Sequence, residues 1–156
     1  MFDIGFAKDG KWFRYRAGAI IVEEGCVLLA RNQIDNYFYT IGGGVKFGEK
    51  TEDAVVREVY EETGIRYEVD YLAVIHENLF NDNSGTLKGL NCHEICLYYV
   101  MKSRGSRELN SNSYTCFGAK EEMHWIPVES LGEHRVFPVF LKEYLSLPHS
   151  GIEHIV

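Results

Sequence analysis

Glu58, Glu61 and Glu62 stand at i, i+3 and i+4, with Arg57 directly before them, Glu49 further upstream and Gly42-Gly43-Gly44 ahead of that. Like charges one turn apart on a helix repel, so three carboxylates on one face destabilise it unless a cation lies over them. Carboxylate oxygens are preferred ligands of hard divalent cations such as Mg²⁺ or Mn²⁺. The planar fork of Arg57 can hold a neighbouring carboxylate in place. The chemistry this pattern offers is therefore metal binding by a carboxylate set.

A helix over Glu52 to Thr63 must carry these groups. Thr51 reads as its N-cap, Glu52 and Asp53 place negative charge in the first turn, and Gly64 stops it at C′. At about 100° per residue, Val55, Val56, Val59 and Tyr60 form one apolar stripe, and the glutamates form another.

The stretch Gly43–Ile65 resembles the Nudix box, written G-x5-E-x7-R-E-U-x-E-E-x-G-U, with U a bulky aliphatic. Gly43, Glu49, Arg57, Glu58, Val59, Glu61, Glu62, Gly64 and Ile65 fill its fixed positions. Seven glycine and charged matches at this spacing arise by chance on the order of 10⁻⁹ per start position, which disfavours an ordinary solvated acidic face. One departure stands in the loop: Ile41 occupies a position where a proline commonly precedes the glycines.

The resemblance implies an α/β fold, the Nudix α/β/α sandwich with a mixed β-sheet, and hydrolysis of a pyrophosphate bond in a nucleoside diphosphate linked to another moiety. It implies Mg²⁺ or Mn²⁺ as cofactor. Glu58, Glu61 and Glu62 are expected as ligands, one of them doubling as base, and the Gly43 carbonyl as a further ligand. Arg57 and Glu49 are expected to orient the carboxylates. Relatives often recruit one more glutamate ahead of the late tryptophan-bearing strand. Here that is Glu121, with Glu122 as runner-up; Glu94, His76 and His93 are weaker choices. For the substrate, Tyr37, Tyr39, Phe80 and Arg31 are the binding candidates, with Phe38 and Trp12 as further aromatics able to stack on a base.

Markers of several subgroups are absent, which leans toward a MutT-like enzyme acting on normal or oxidised nucleoside triphosphates. ADP-ribose or nucleotide-sugar cleavage is the alternative. A non-catalytic nucleotide sensor is the alternative of another class, although such domains often carry an eroded box. An isopentenyl-diphosphate isomerase activity lacks its cysteine motif.

The other residues frame this centre. With 156 residues, 46% hydrophobic and 25% charged, the chain has the size and composition of one globular domain over 1–156. A net charge of −7 argues against a stable nucleic-acid complex and leaves a small-molecule nucleotide as the expected partner. No apolar run approaches the roughly 18 residues of a membrane span, and no signal-peptide core precedes the first charges, so a cytoplasmic location is expected. A homodimer is left open. Cys26, Cys92, Cys96 and Cys116 form no CxxC pair and are expected as reduced thiols. On a strand, His93 points away from Cys92 and Cys96, which disfavours zinc.

Strands are expected at Trp12–Glu23, Cys26–Arg31, Tyr37–Ile41, Tyr67–His76 with a reach to Phe80, His93–Lys102 and Glu122–Pro127. A second helix is expected over Phe137–Leu147 and a short last strand within Gly151–Val156. Asn32–Asn36 and Asn81–Asn91 read as turn-rich loops. Ser103–Gly118 reads as a mobile loop, either a plain surface connection or a substrate lid.

Overall fold

The computed structural model describes residues 1–112, 115 and 118–156. Among the described residues, ten strands and two helices build three layers. The strands are β1 (Gly5–Lys8), β2 (Lys11–Ile20), β3 (Val22–Glu23), β4 (Cys26–Asn32), β5 (Phe38–Gly44), β6 (Val69–Asn81), β7 (Asn91–Met101), β8 (Glu121–Pro127), β9 (Val136–Phe137) and β10 (Glu153–Ile155). The helices are α1 (Thr51–Thr63) and α2 (Leu141–Ser146), with a 3-10 turn over Val128–Glu133. The strand order β10-β6-β7-β2-β5-β4-β3 is mixed: β2 runs parallel to β7 and antiparallel to β5. Side pairings add β1 to β2, β8 to β4 and β9 to β5. This is the expected α/β/α sandwich.

Period-2 alternation sends successive residues of β2 to opposite faces. Ala17, Ala19 and Ile21 join Leu28, Ile41 and Val45 under Ala54, Val55 and Val59 of α1. Ile20, Val27, Leu29 and Tyr98 pack against Leu131, Leu141 and Tyr144 on the other side. Burying Val55 and Val59 contributes about 1.5–3 kcal/mol each, enough to hold a helix whose outer face is strongly acidic.

Several expectations need correction. Thr51 is the first residue of α1 rather than its cap; Lys50 takes the cap position without a side-chain bond. The Thr51 hydroxyl is instead paired with the Tyr99 hydroxyl at 2.7 Å, a tertiary partner that competes with capping. Tyr60 leaves the apolar stripe: it is 44% exposed, and the Arg66 guanidinium covers its ring at 4.6 Å. The second helix is far shorter than its periodicity suggests. Val136 and Phe137 pair as β9 with β5, and the residue before Pro138 is held out of the helical region. β1 was not foreseen, although Asp9-Gly10 is a hairpin-turn dipeptide and both residues have positive φ, 51° and 72°.

The loop after β7 is tied down over 103–112 rather than free. Glu23, 1% exposed, anchors its start. The Glu23 carboxylate accepts from Ser103 Oγ at 2.7 Å, the Arg104 amide at 2.6 Å, the Gly105 amide at 2.9 Å and the Tyr67 hydroxyl at 3.3 Å. Further on, the Asn110 amide donates to Thr63 O at 2.8 Å and Ser111 Oγ to Glu62 O at 2.6 Å. The loop thus supplies donors to the carbonyls that end α1, groups a helix leaves unsatisfied. Four positions of this segment, 113, 114, 116 and 117, lie outside the described residues, and Cys116 with them. Cys26, Cys92 and Cys96 are free and buried, and His93 is exposed, edge-on to Phe13. Among the described residues no helix is long and apolar enough to cross a membrane.

Burial works to raise the Glu23 pKa, but the two amides and two hydroxyls prevail and hold it below the ordinary carboxylate value of 4.5. A depressed folded pKa contributes stability that is present above the unfolded value and is lost as pH falls through the folded one. Glu23→Gln is expected to lower unfolding stability by roughly 2–3 kcal/mol at neutral pH. Urea titrations should show the gap between wild type and variant closing below about pH 4.

Candidate active site

The centre is built where β5 passes under α1. Gly43 is paired with Ala17 of β2 on one side and faces Glu58 on the other. A Cβ at Gly43 would lie 2.3 Å from the Glu58 carboxyl carbon, so only glycine lets the carboxylate rest on the strand. A Cβ at Gly42 would meet Ala17 O at 2.3 Å, and its φ of 150° also favours glycine. Gly44 carries the Asp3 carboxylate against its backbone. Asp3 had no signal in the sequence, because the fold alone brings the N-terminal segment beside Lys46.

Arg57 organises the carboxylates. Its Nε and Nη2 donate to Glu49 at 2.7 and 2.9 Å, a two-pronged pair. Nη1 donates to Glu58 at 2.5 Å and reaches Glu61 at 3.4 Å, while Nη2 also donates to Gly44 O at 3.1 Å. The Arg57 bond holds the Glu49 carboxyl below its usual range. Glu49 also accepts the Lys46 amide at 3.0 Å, which closes the loop between β5 and α1. Glu61 is half-exposed.

Glu62 is the unusual group. It is 8% exposed, and among the described residues its Oε2 accepts only the Gly42 amide, at 3.2 Å. Burial raises its pKa well above the carboxylate value, and the charges of Glu121 and Glu58 add to the rise. Burial also raises Glu58, against the pull of Arg57. Glu121, first residue of β8, is 7% exposed and accepts the Tyr39 hydroxyl. Glu122 instead faces solvent beside His124. Glu62 thus feels the charges of both Glu121 and Glu58, Tyr39 is bonded to Glu121, and Glu122 lies outside.

Behind Gly42 lies Arg16, which the sequence reading missed; the signal was a cation entering an apolar run. Arg16 is 8% exposed, donates to Thr40 O at 2.8 Å and makes longer contacts with Tyr98 and Cys96. Burial opposes its charge, but Cys96, Tyr98, Glu94 and Glu62 keep it cationic. Among the substrate candidates, Tyr37 lies near Asp35 and Asp82, and burial followed by these charges pushes its pKa up to about 12. Arg31 stacks over Phe38 and borders a cavity of about 340 Å³ with Asn32, Asp35, Asn36 and Glu122. Phe80 is half-buried near the end of β6, in register with Cys92.

A domain model described as NUDIX domain matches residues 12–146. The chain belongs to the Nudix family. A MutT-like protein of Streptomyces ambofaciens is 33% identical over 118 residues, 75% of this chain. The chain spans 65% of that curated relative's length. A MutT Nudix hydrolase from Burkholderia pseudomallei superposes with a TM-score of 0.62 at 22% identity, covering 85% of this chain and 98% of that one. An ADP-ribose pyrophosphatase from Streptococcus suis gives 0.58 at 16% identity, over 90% and 98% of the two chains. At these identities the structures establish the Nudix fold, and the core of the box is the β5–α1 junction described above.

Gly43→Ala is expected to displace Glu58 and cost about 1–3 kcal/mol, the usual penalty of overpacking. Equal urea midpoints for wild type and variant would contradict the close approach.

Proposed function

We propose that this Nudix protein is a divalent-metal-dependent pyrophosphohydrolase of nucleoside diphosphates linked to another moiety, with nucleoside triphosphates, normal or oxidised, as leading substrates. The buried Glu62 carboxylate carries this reading. Among the described residues it has one hydrogen bond and stands among like charges, an environment that disfavours an anion unless a cation joins it.

The donor set fits a hard cation. Among the described residues no three such side chains converge on one point, because Arg57 draws Glu58 and Glu61 toward itself. The side-chain donors are all carboxylate oxygens, the ligand type that Mg²⁺ and Mn²⁺ prefer. Glu58, Glu62 and Glu121, with Glu61 and the Gly43 carbonyl, would hold the metal. Bound there, it would supply Lewis acidity toward phosphate oxygens and a lowered pKa for water. Arg57 and Glu49 keep the first turns of α1 fixed against the glycine strand. Tyr39 donates to Glu121 and limits where that carboxylate points. Arg16 places a positive charge behind the strand and offsets part of the clustered negative charge.

Nucleoside triphosphates, oxidised guanine nucleotides, ADP-ribose, nucleotide sugars and dinucleoside polyphosphates should be assayed with Mg²⁺ and Mn²⁺, with products read by mass. Cleavage of a pyrophosphate bond in at least one class is expected, and chelation should abolish it. Binding without turnover would favour a nucleotide sensor instead.

Glu62→Gln is expected to reduce kcat by at least about 10²-fold, the scale of losing one key electrostatic group. The same variant should unfold at a higher temperature than wild type when both are metal-free, because a buried like-charge clash is gone. It should also lose most of the thermal shift that Mg²⁺ gives the wild type. A lower metal-free Tm for the variant would contradict this account.

A further inference from the structure

On the sheet face opposite α1, three polar side chains stand in line across three strands. Arg14 of β2 is in register with Glu94 of β7, and Glu94 is in register with Asn78 of β6. Adjacent strands lie about 4.8 Å apart, so the three side chains are immediate neighbours. The next row on one side is Trp12, Cys92 and Phe80; on the other it is Arg16, Cys96 and His76.

All three side chains are half-buried, yet among the described residues none of them makes a hydrogen bond or ion pair. Arg14 and Glu94 are oppositely charged and directly paired, but no ion pair closes between them. Nδ1 of His76, in the adjoining row, is likewise buried without a partner. Burying Nδ1 of His76 without a partner costs free energy. Beside it, the polar ends of Arg14, Glu94 and Asn78 reach water and are not spent on one another, which leaves three donors and acceptors in a row free to take a ligand.

The row also has a direction. The charge of Arg14 is felt at Glu58, which makes Arg14 the end of the row turned toward the proposed metal carboxylates. The charge of Glu94 acts on Arg16, His76 and Cys92, which puts it among the two flanking rows. Trp12 and Phe80 supply ring surface beside it.

We propose that Arg14, Glu94 and Asn78 form the subsite that selects the substrate, a reading that rests on the pyrophosphohydrolase function above. Arg14 takes a phosphate oxygen of the substrate. Glu94 accepts two hydrogen bonds from a pair of adjacent donors, and Asn78 adds one donor and one acceptor alongside. Two parts of a nucleotide present such a donor pair: the N1–H and 2-amino edge of guanine, and the vicinal hydroxyls of ribose. Trp12 and Phe80 stack on or flank the base.

The test uses the full chain and its Glu94→Gln variant, with Asn78→Ala as a second variant. GTP, ITP, which lacks the 2-amino group, and 2′,3′-dideoxyGTP are compared by kcat/KM with Mg²⁺. Their affinities are compared by calorimetry with Ca²⁺ in place of Mg²⁺. Wild type is expected to favour GTP over one of the two analogues by about 10–100-fold, the scale of hydrogen bonds to one charged group. Glu94→Gln should collapse that ratio toward one with an unchanged Tm, and Asn78→Ala should reduce it. Loss of the GTP/ITP ratio assigns the donor pair to guanine; loss of the GTP/dideoxyGTP ratio assigns it to ribose. A wild type without preference, or variants that keep every ratio, overturns the subsite. If nothing is hydrolysed but the calorimetric ratios behave as expected, the subsite stands and the catalytic reading falls.

Discussion

The molecule depends on how closely a helix can approach a strand. Glu58 and Glu62 reach the β5 backbone only because Gly42 and Gly43 present no side chain there. Arg57 then locks the approach by bridging Glu49, Glu58 and the Gly44 carbonyl. A helix bearing this much negative charge would otherwise be pushed away from a dehydrated surface. Its apolar back, Ala54, Val55 and Val59, draws it down, and the guanidinium makes the close contact tolerable.

Charge is distributed on both sides of that strand. Glu62, Glu58 and Glu121 crowd the helix side, while Arg16 lies buried on the other, behind Gly42. The strand works as a thin partition between opposite fields. It leaves the carboxylates under tension toward protonation, which a divalent cation would relieve. The cost falls on the metal-free protein, a usual trade between stability and a charged functional centre.

The segment after β7 connects this centre to the opposite edge of the fold. Glu23 fixes its start, Trp125 Nε1 donates to Arg107 O at 2.9 Å, and Asn110 and Ser111 finish the C-terminal turn of α1. Gly64 lets it pass: a Cβ there would lie 2.2 Å from Asn110 O. The glycine that ends the helix therefore has two reasons to be glycine, a φ of 71° and a neighbouring chain.

Local pattern by itself determined the box, the extent of α1 to within a residue, the hairpin at Glu24-Gly25 and the strands on either side. These follow from charge spacing, turn residues and alternation, all properties of near neighbours. Tertiary structure alone decided that Glu62 would be buried while Glu61 stayed half-exposed, since that depends on which side of α1 meets β5. It also chose Glu121 over Glu122, because pairing of β8 with β4 sets which of two adjacent residues points inward. It shortened the second helix, because Phe137 paired with β5 before a helix could include it. The line of Arg14, Glu94 and Asn78 is the clearest such case. Its members are scattered along the chain, and only the register of a parallel and an antiparallel pair makes them neighbours.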